Sequence, residues 1–185
     1  MKKRGSGWLL GLVVAFMAAM TALPASAQTF TVLYNFTGSP DGATPYAGLL
    51  RDTAGNLYGT TTVGGSSNQG TVFKVDTSGT ETVLHSFSGA DGISPYAGVI
   101  MDAKGNLYGT TQNGGTGCSG TGCGIVFELM PKAGGGWTET VLHKFNFNPD
   151  GGDPTAALVQ DANGNLYSTT YSGGAGYGTV FEVMP

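Results

Sequence analysis

Histidine occurs twice and cysteine twice in this chain of 185 residues, and only 11% of its residues are charged. Each shortage excludes something. A structural zinc site takes about four Cys or His ligands, and Cys118 and Cys123 have no histidine near them. No Ser, His and Asp follow one another at a hydrolase spacing, and no nucleophile elbow or phosphate-cradling loop before a helix is present. No segment sustains a 3.6-residue apolar period, so helices are not expected. Beyond Leu23 there is no long apolar run to act as a membrane-spanning helix.

What is present starts with an export signal. Lys2, Lys3 and Arg4 precede an uncharged apolar run from Trp8 to Leu23, then Pro24 and the small-residue site Ala25-Ser26-Ala27. The run falls short of the roughly 20 residues a spanning helix needs. Residues 1–27 are therefore expected to be a cleaved signal peptide, and residues 28–185 a single secreted or periplasmic repeat domain. Cleavage leaves Arg51, Lys74, Lys104, Lys132 and Lys144 against twelve acidic residues. Such a balance offers no footprint for nucleic acid or anionic lipid. In an exported chain Cys118 and Cys123 are expected to pair. The loop so closed is small, and its entropic contribution is about 2 kcal/mol.

The domain reads itself three times. Asn-Leu-Tyr occurs at 56–58, 106–108 and 165–167, Asp-Gly at 41–42, 91–92 and 150–151, and Val-Phe at 72–73, 126–127 and 180–181. Such periods mark stacked or radial repeats. Each unit offers four short strands rich in Val, Leu, Tyr, Phe and Thr, bounded by Gly, Asp and Asn. The turns Asp52-Thr-Ala-Gly55-Asn56, Asp102 to Asn106 and Asp161 to Asn165 pair an Asp that can bond the backbone with a Gly free to take positive φ. A calcium loop needs more oxygen ligands than these turns offer. Several strands are apolar on both faces, as a sheet between two neighbours requires.

The phase of the repeat suggests closure. Thr31 to Phe36 matches the fourth strand, Thr82 to Phe87, whereas the last segment, Thr179 to Val183, matches the third. The expected fold is all-β, a propeller-like array of three four-stranded antiparallel blades, with the N-terminal strand 31–36 completing the last blade and removing an unpaired edge. The blades span about 45–88, 95–146 and 154–185. Three is below the usual 4–8, so a compact disc, a two-chain six-bladed ring and a shortened relative of a longer protein all stay open.

The combination Gly-x-Val-Phe, Thr-x-Leu-x-x-Phe, Asp-Gly-x-x-Pro, Asp-x-x-Gly-Asn-Leu-Tyr-Gly-Thr-Thr and Gly-Gly resembles the GloVer tandem-repeat family over essentially all of residues 28–185. That resemblance implies exported proteins with a choice of C-terminal anchor and brings no established activity. This chain shows no such anchor, which favours secretion or the periplasm. Its third copy departs from the pattern, with Ser168 in place of Gly59 and Gly109, and Thr155 in place of Tyr46 and Tyr96.

In a propeller the Asp-Gly-x-x-Pro loops and the Gly-Gly loops share one face, where binding groups usually sit. The candidates there are Asp41, Asp91, Asp150 and Asp153 with Tyr46, Tyr96, Asn68, Asn113, Tyr171 and Tyr177, a set suited to sugar or peptide recognition. His85 and His143 hold the same place in the fourth strand and read as half-buried strand residues. Every Glu lies in or beside a third or fourth strand, away from the centre. The expected function is a non-enzymatic binding or structural module for a carbohydrate or protein ligand, without a cofactor or metal, with a homodimer as the open question of partnership. The competing function is a propeller-type lyase or hydrolase acting on sugars or lactones, which demands unlike acid and base environments.

Overall fold

A computed structural model describes residues 28–118 and 120–185. The expected signal peptide lies outside the described residues. Eleven strands form three antiparallel sheets, and no helix occurs among the described residues. Sheet I holds β1 (Leu50–Arg51), β2 (Leu57–Thr61), β3 (Thr71–Val75) and β4 (Glu81–Ser86) in chain order. Sheet II repeats this with β5 (Ile100–Met101), β6 (Leu107–Thr111), β7 (Ile125–Pro131) and β8 (Trp137–Lys144). Sheet III has three strands, β9 (Val159–Gln160), β10 (Leu166–Thr169) and β11 (Val180–Val183). From Val32 onward the chain forms one unit.

The registers repeat with the sequence. Leu57 faces Val75 and Leu107 faces Leu129, and the β3–β4 and β7–β8 ladders both carry a bulge, at Val72/Phe73 and at Val126/Phe127. A glycine at the middle of the second strand makes room for the phenylalanine opposite it. A Cβ on Gly59 would lie 2.6 Å from Phe73 Cζ, and one on Gly109 would lie 2.5 Å from Phe127 Cζ. The extra length of the second repeat falls outside these ladders, in the Cys118 loop and in the β7–β8 hairpin, so the framework keeps its pairing.

Two apolar cores join the three sheets. The first gathers Tyr58 and Val72 of sheet I with Val99, Leu107, Phe127 and Leu129 of sheet II, bridged by Phe87. The second gathers Tyr108 and Val126 of sheet II with Leu158 and Leu166 of sheet III, bridged by Phe145. The second strands also donate to the segment before the next sheet, Thr60 Oγ1 to Ala97 O (2.9 Å) and Thr110 Oγ1 to Ala156 O (3.4 Å). Sheet II is thus covered on both faces and each outer sheet on one.

Two expectations change here. The inner strands shrink to two residues each, and the segments before the second and third of them bond to the preceding sheet outside any ladder, through Ala97 O and Ala156 O. Nor does the N-terminal segment add a fourth strand to sheet III, and none of the three sheets is closed. Residues 32–36 make no ladder. They lie instead on sheet I, where Phe36 packs edge-on against Phe73 with ring centroids 4.8 Å apart.

Candidate functional site

The connections from fourth to first strand and from second to third strand meet on one face. In each repeat a two-residue bridge sews them together, Ala43 to Val63, Ile93 to Asn113 and Gly152 to Ser172. The order of the strands therefore delivers every candidate binding residue to one end of the array.

The three Asp-Gly aspartates are built into that face in the same way. The Asp41 carboxylate accepts from Tyr34 Oη (2.7 Å), Thr37 N (3.0 Å) and Thr37 Oγ1 (2.9 Å). Asp91 accepts from Ser88 N (2.8 Å) and Ser88 Oγ (2.9 Å), with His85 Nε2 at 3.1 Å. Asp150 accepts from Asn146 N (3.1 Å) and has His143 Nε2 at 2.9 Å. Desolvation works to raise the Asp41 and Asp91 carboxyls, but their donors outweigh it and hold both below the ordinary carboxylate range. An ionised carboxylate only accepts, so the proton of the His85 ring sits on Nε2. Desolvation likewise lowers the His85 ring below its ordinary value against the pull of Asp91. The bond to Asp41 is the main reason the Tyr34 hydroxyl is pushed up to about 12.

Each of these clamps continues into the core. Tyr34, His85 and His143 rest edge-on against Phe36, Phe87 and Phe145, two residues further along the chain. Those rings pack in turn on Phe73, Phe127 and Phe181, at 4.8, 5.2 and 5.0 Å. The histidines are half-buried strand residues as expected, and they have a carboxylate partner that spacing alone did not reveal. The available signal is a hydrogen-bonding ring, Tyr or His, six or seven residues before each Asp-Gly.

The remaining polar candidates are also partnered. Asn68 adopts positive φ (56°), and its Oδ1 accepts from Gly64 N at 3.0 Å. Asp153 also has positive φ (54°) and accepts from Ser172 Oγ. Asn113 Oδ1 accepts from Thr121 Oγ1 at 3.4 Å. The tyrosines behave otherwise. Tyr46, Tyr171 and Tyr177 are exposed and Tyr96 is half-buried. Tyr46 and Tyr96 are brought together where the loops enter the inner strands, rings 5.5 Å apart and 75° to each other. Cys118 and Cys123 form a disulfide, and Cys123 O accepts from Asp153 N (2.9 Å), tying the stapled loop to the next repeat.

The opposite face carries the Asp-x-x-Gly-Asn turns. Asp52, Asp102 and Asp161 each accept from the backbone N and Nδ2 of the Asn four residues on, at 2.7–3.0 Å. Tyr58, Tyr108 and Tyr167 add a third donor at 3.2–3.3 Å. These carboxylates are the fabric of the turns. Between adjacent turns run two grooves that sequence reasoning did not foresee. One of 530 Å³ lies between Asp52 and Asp102, and one of 610 Å³ is lined by Lys104, Glu128 and Asp161 among others. Among the described residues, no three His, Cys, Asp or Glu side chains come together as a metal site.

The profile of the Gloeobacter/Verrucomicrobia repeat matches residues 18–185. No curated protein matches the chain. Among solved structures, one provisionally described as a gluconolactonase is similar at 16% identity with a TM-score of 0.46, over 74% of this chain. The chain spans about half, 47%, of the length of that protein.

Proposed function

The chain belongs to the Gloeobacter/Verrucomicrobia repeat family, and we propose that it serves as an exported, propeller-like, non-enzymatic module that binds a saccharide on its loop face. The observation that carries this reading is the division of labour on that face. Asp41, Asp91 and Asp150 are held in three matching clamps, whereas the rings of Tyr46 and Tyr96 pair only with each other. A tyrosine offers a flat apolar ring and a hydroxyl at once, which suits a sugar with C–H patches and hydroxyls. Three like clamps make three like environments, and acid–base hydrolysis needs unlike ones. The expected signal peptide and the disulfide suit an oxidising compartment outside the cytoplasm.

Calorimetry of the mature chain against a panel of neutral and acidic oligosaccharides tests the reading. At least one ligand is expected to bind in the micromolar-to-millimolar range, with Tyr46→Ala and Tyr96→Ala each weakening it tenfold or more. A flat response across the panel to 10 mM rejects a saccharide ligand. Release of reducing ends or acid from any panel member by the wild-type chain rejects the non-enzymatic part.

A further inference from the structure

We infer that two copies of this chain join head to tail, the segment 32–36 of each adding the missing fourth strand to sheet III of the other. Equivalent positions in the three sheets are unequally buried. Val72 and Val126 are 0% exposed beneath the following sheet, whereas Val180, their counterpart, is 83% exposed. On the other face, Val99 and Leu158 are 5% and 2% exposed under the preceding sheet, whereas Leu49 is 55% exposed. Pro95 and Pro154 are buried and Pro45 is exposed. The leading face of sheet I and the trailing face of sheet III are therefore the two separated halves of a third core of the kind already seen twice. An apolar hollow of 250 Å³, lined by Phe36, Pro45, Leu49 and Phe73 among others, marks the half on sheet I.

The backbone groups match as well. β4 and β8 close sheets I and II, while β11 ends sheet III with its outer edge unpaired among the described residues. Segment 32–36, Val-Leu-Tyr-Asn-Phe, repeats the pattern of Val83 to Phe87 and Val141 to Phe145, yet joins no ladder among the described residues. An edge strand and an unpaired extended segment are donor and acceptor for strand addition. The existing ladders dictate the register. Thr71 faces Ser86, Val72 faces His85 and Phe73 faces Val83, with the same offsets in sheet II. Carried over, Thr179 faces Asn35, Val180 faces Tyr34 and Phe181 faces Val32 of the partner chain. Phe87 N donates to Gly70 O (3.0 Å) and Phe145 N to Gly124 O (3.1 Å), so Phe36 N would donate to Gly178 O across the junction.

A head-to-tail contact either closes into a ring or runs on as a filament. The described residues of each chain bring three sheets, and six is the one multiple of three within the usual range of about 4–8 blades. Two copies therefore complete the ring, with two identical junctions. The saccharide reading is independent of this association.

Light scattering on mature residues 28–185 at about 50 μM should give twice the chain mass, and Val180→Asp should give a single chain. Because Val180 is exposed in the lone chain, that variant keeps its circular dichroism spectrum, which separates lost assembly from lost folding. The double variant Asn35→Cys, Thr179→Cys fixes the register, since oxidation should then link two chains covalently. A monomeric wild type, a mass other than two chains, or a 35–179 link within one chain would each overturn the inference.

Discussion

Sheet II and its two neighbours are written in nearly the same residues and live in different surroundings. Phe127 in sheet II is 0% exposed, in contact with Phe87 and enclosed in the core that sheet II shares with sheet I. Phe181 in sheet III holds the same repeat position and is half-buried. The difference teaches that burial here is conferred by the neighbouring repeat and not by the strand itself. Nearest-neighbour terms of that kind govern the stability of repeat arrays.

The largest test of that contrast truncates the two phenylalanines. Phe127→Ala should cost about 3–5 kcal/mol, and Phe181→Ala only about 1 kcal/mol, because less of its ring leaves water on folding. Urea midpoints of the two variants decide it, and equal losses would break the comparison. A finer test exchanges the residues at the glycine site. Gly109→Ser forces a Cβ into the Phe127 ring and should cost about 1–3 kcal/mol. The reverse change, Ser168→Gly, removes bonds from Ser168 Oγ to Ala156 O and Ala157 O at 3.3 and 3.1 Å. It should cost about 1 kcal/mol or less.

The smallest effect concerns a pair of glutamates that only the four-stranded sheets possess. Glu81 opens β4 and Glu139 is the third residue of β8, and one oxygen of each is buried without a partner. Desolvation, aided by Asp41 in one case and Asp91 in the other, pushes both carboxyls up to about 7. A carboxyl raised on folding favours the folded state below its unfolded value of 4.5 and loses that contribution as pH rises through about 7. His85, lowered on folding, acts in the opposite sense below 6.5, so the informative quantity is the difference from wild type. Glu81→Gln and Glu139→Gln should remove the decline between about pH 4.5 and 7, read as urea midpoints at pH 5 and pH 7.5. A midpoint difference unchanged from wild type would show that these carboxyls titrate normally.

The Asp-x-x-Gly-Asn turns, the second and third strands and the repeat itself were legible in the sequence, because each rests on contacts between residues close in the chain. Asp52 and Asn56 meet whatever the remainder of the protein does. The inner strands were overestimated, since Ala97 and Ala156 bond to a neighbouring sheet and not along a ladder. The loop aspartates were found, but their partners were hidden. A Tyr or His stands six or seven residues before each Asp-Gly, but that spacing says nothing of contact until the strand and its loop have folded over each other. The aromatic ladder from Tyr34 through Phe36 to Phe73 crosses between repeats and is beyond any local pattern.

The middle repeat carries its additional length at both ends of β7, in the loop stapled by Cys118 and Cys123 and in the hairpin that extends to Pro131 and Trp137. Neither lengthening has shifted the β6–β7 pairing from the pattern of β2–β3. Closure entropy grows slowly with loop length, and the tip at Ala133 to Gly136 is exposed on every residue. That hairpin is accordingly a ready splice point. An epitope or a dye-bearing peptide inserted there would report on the protein while leaving both loop face and sheet junctions as they are.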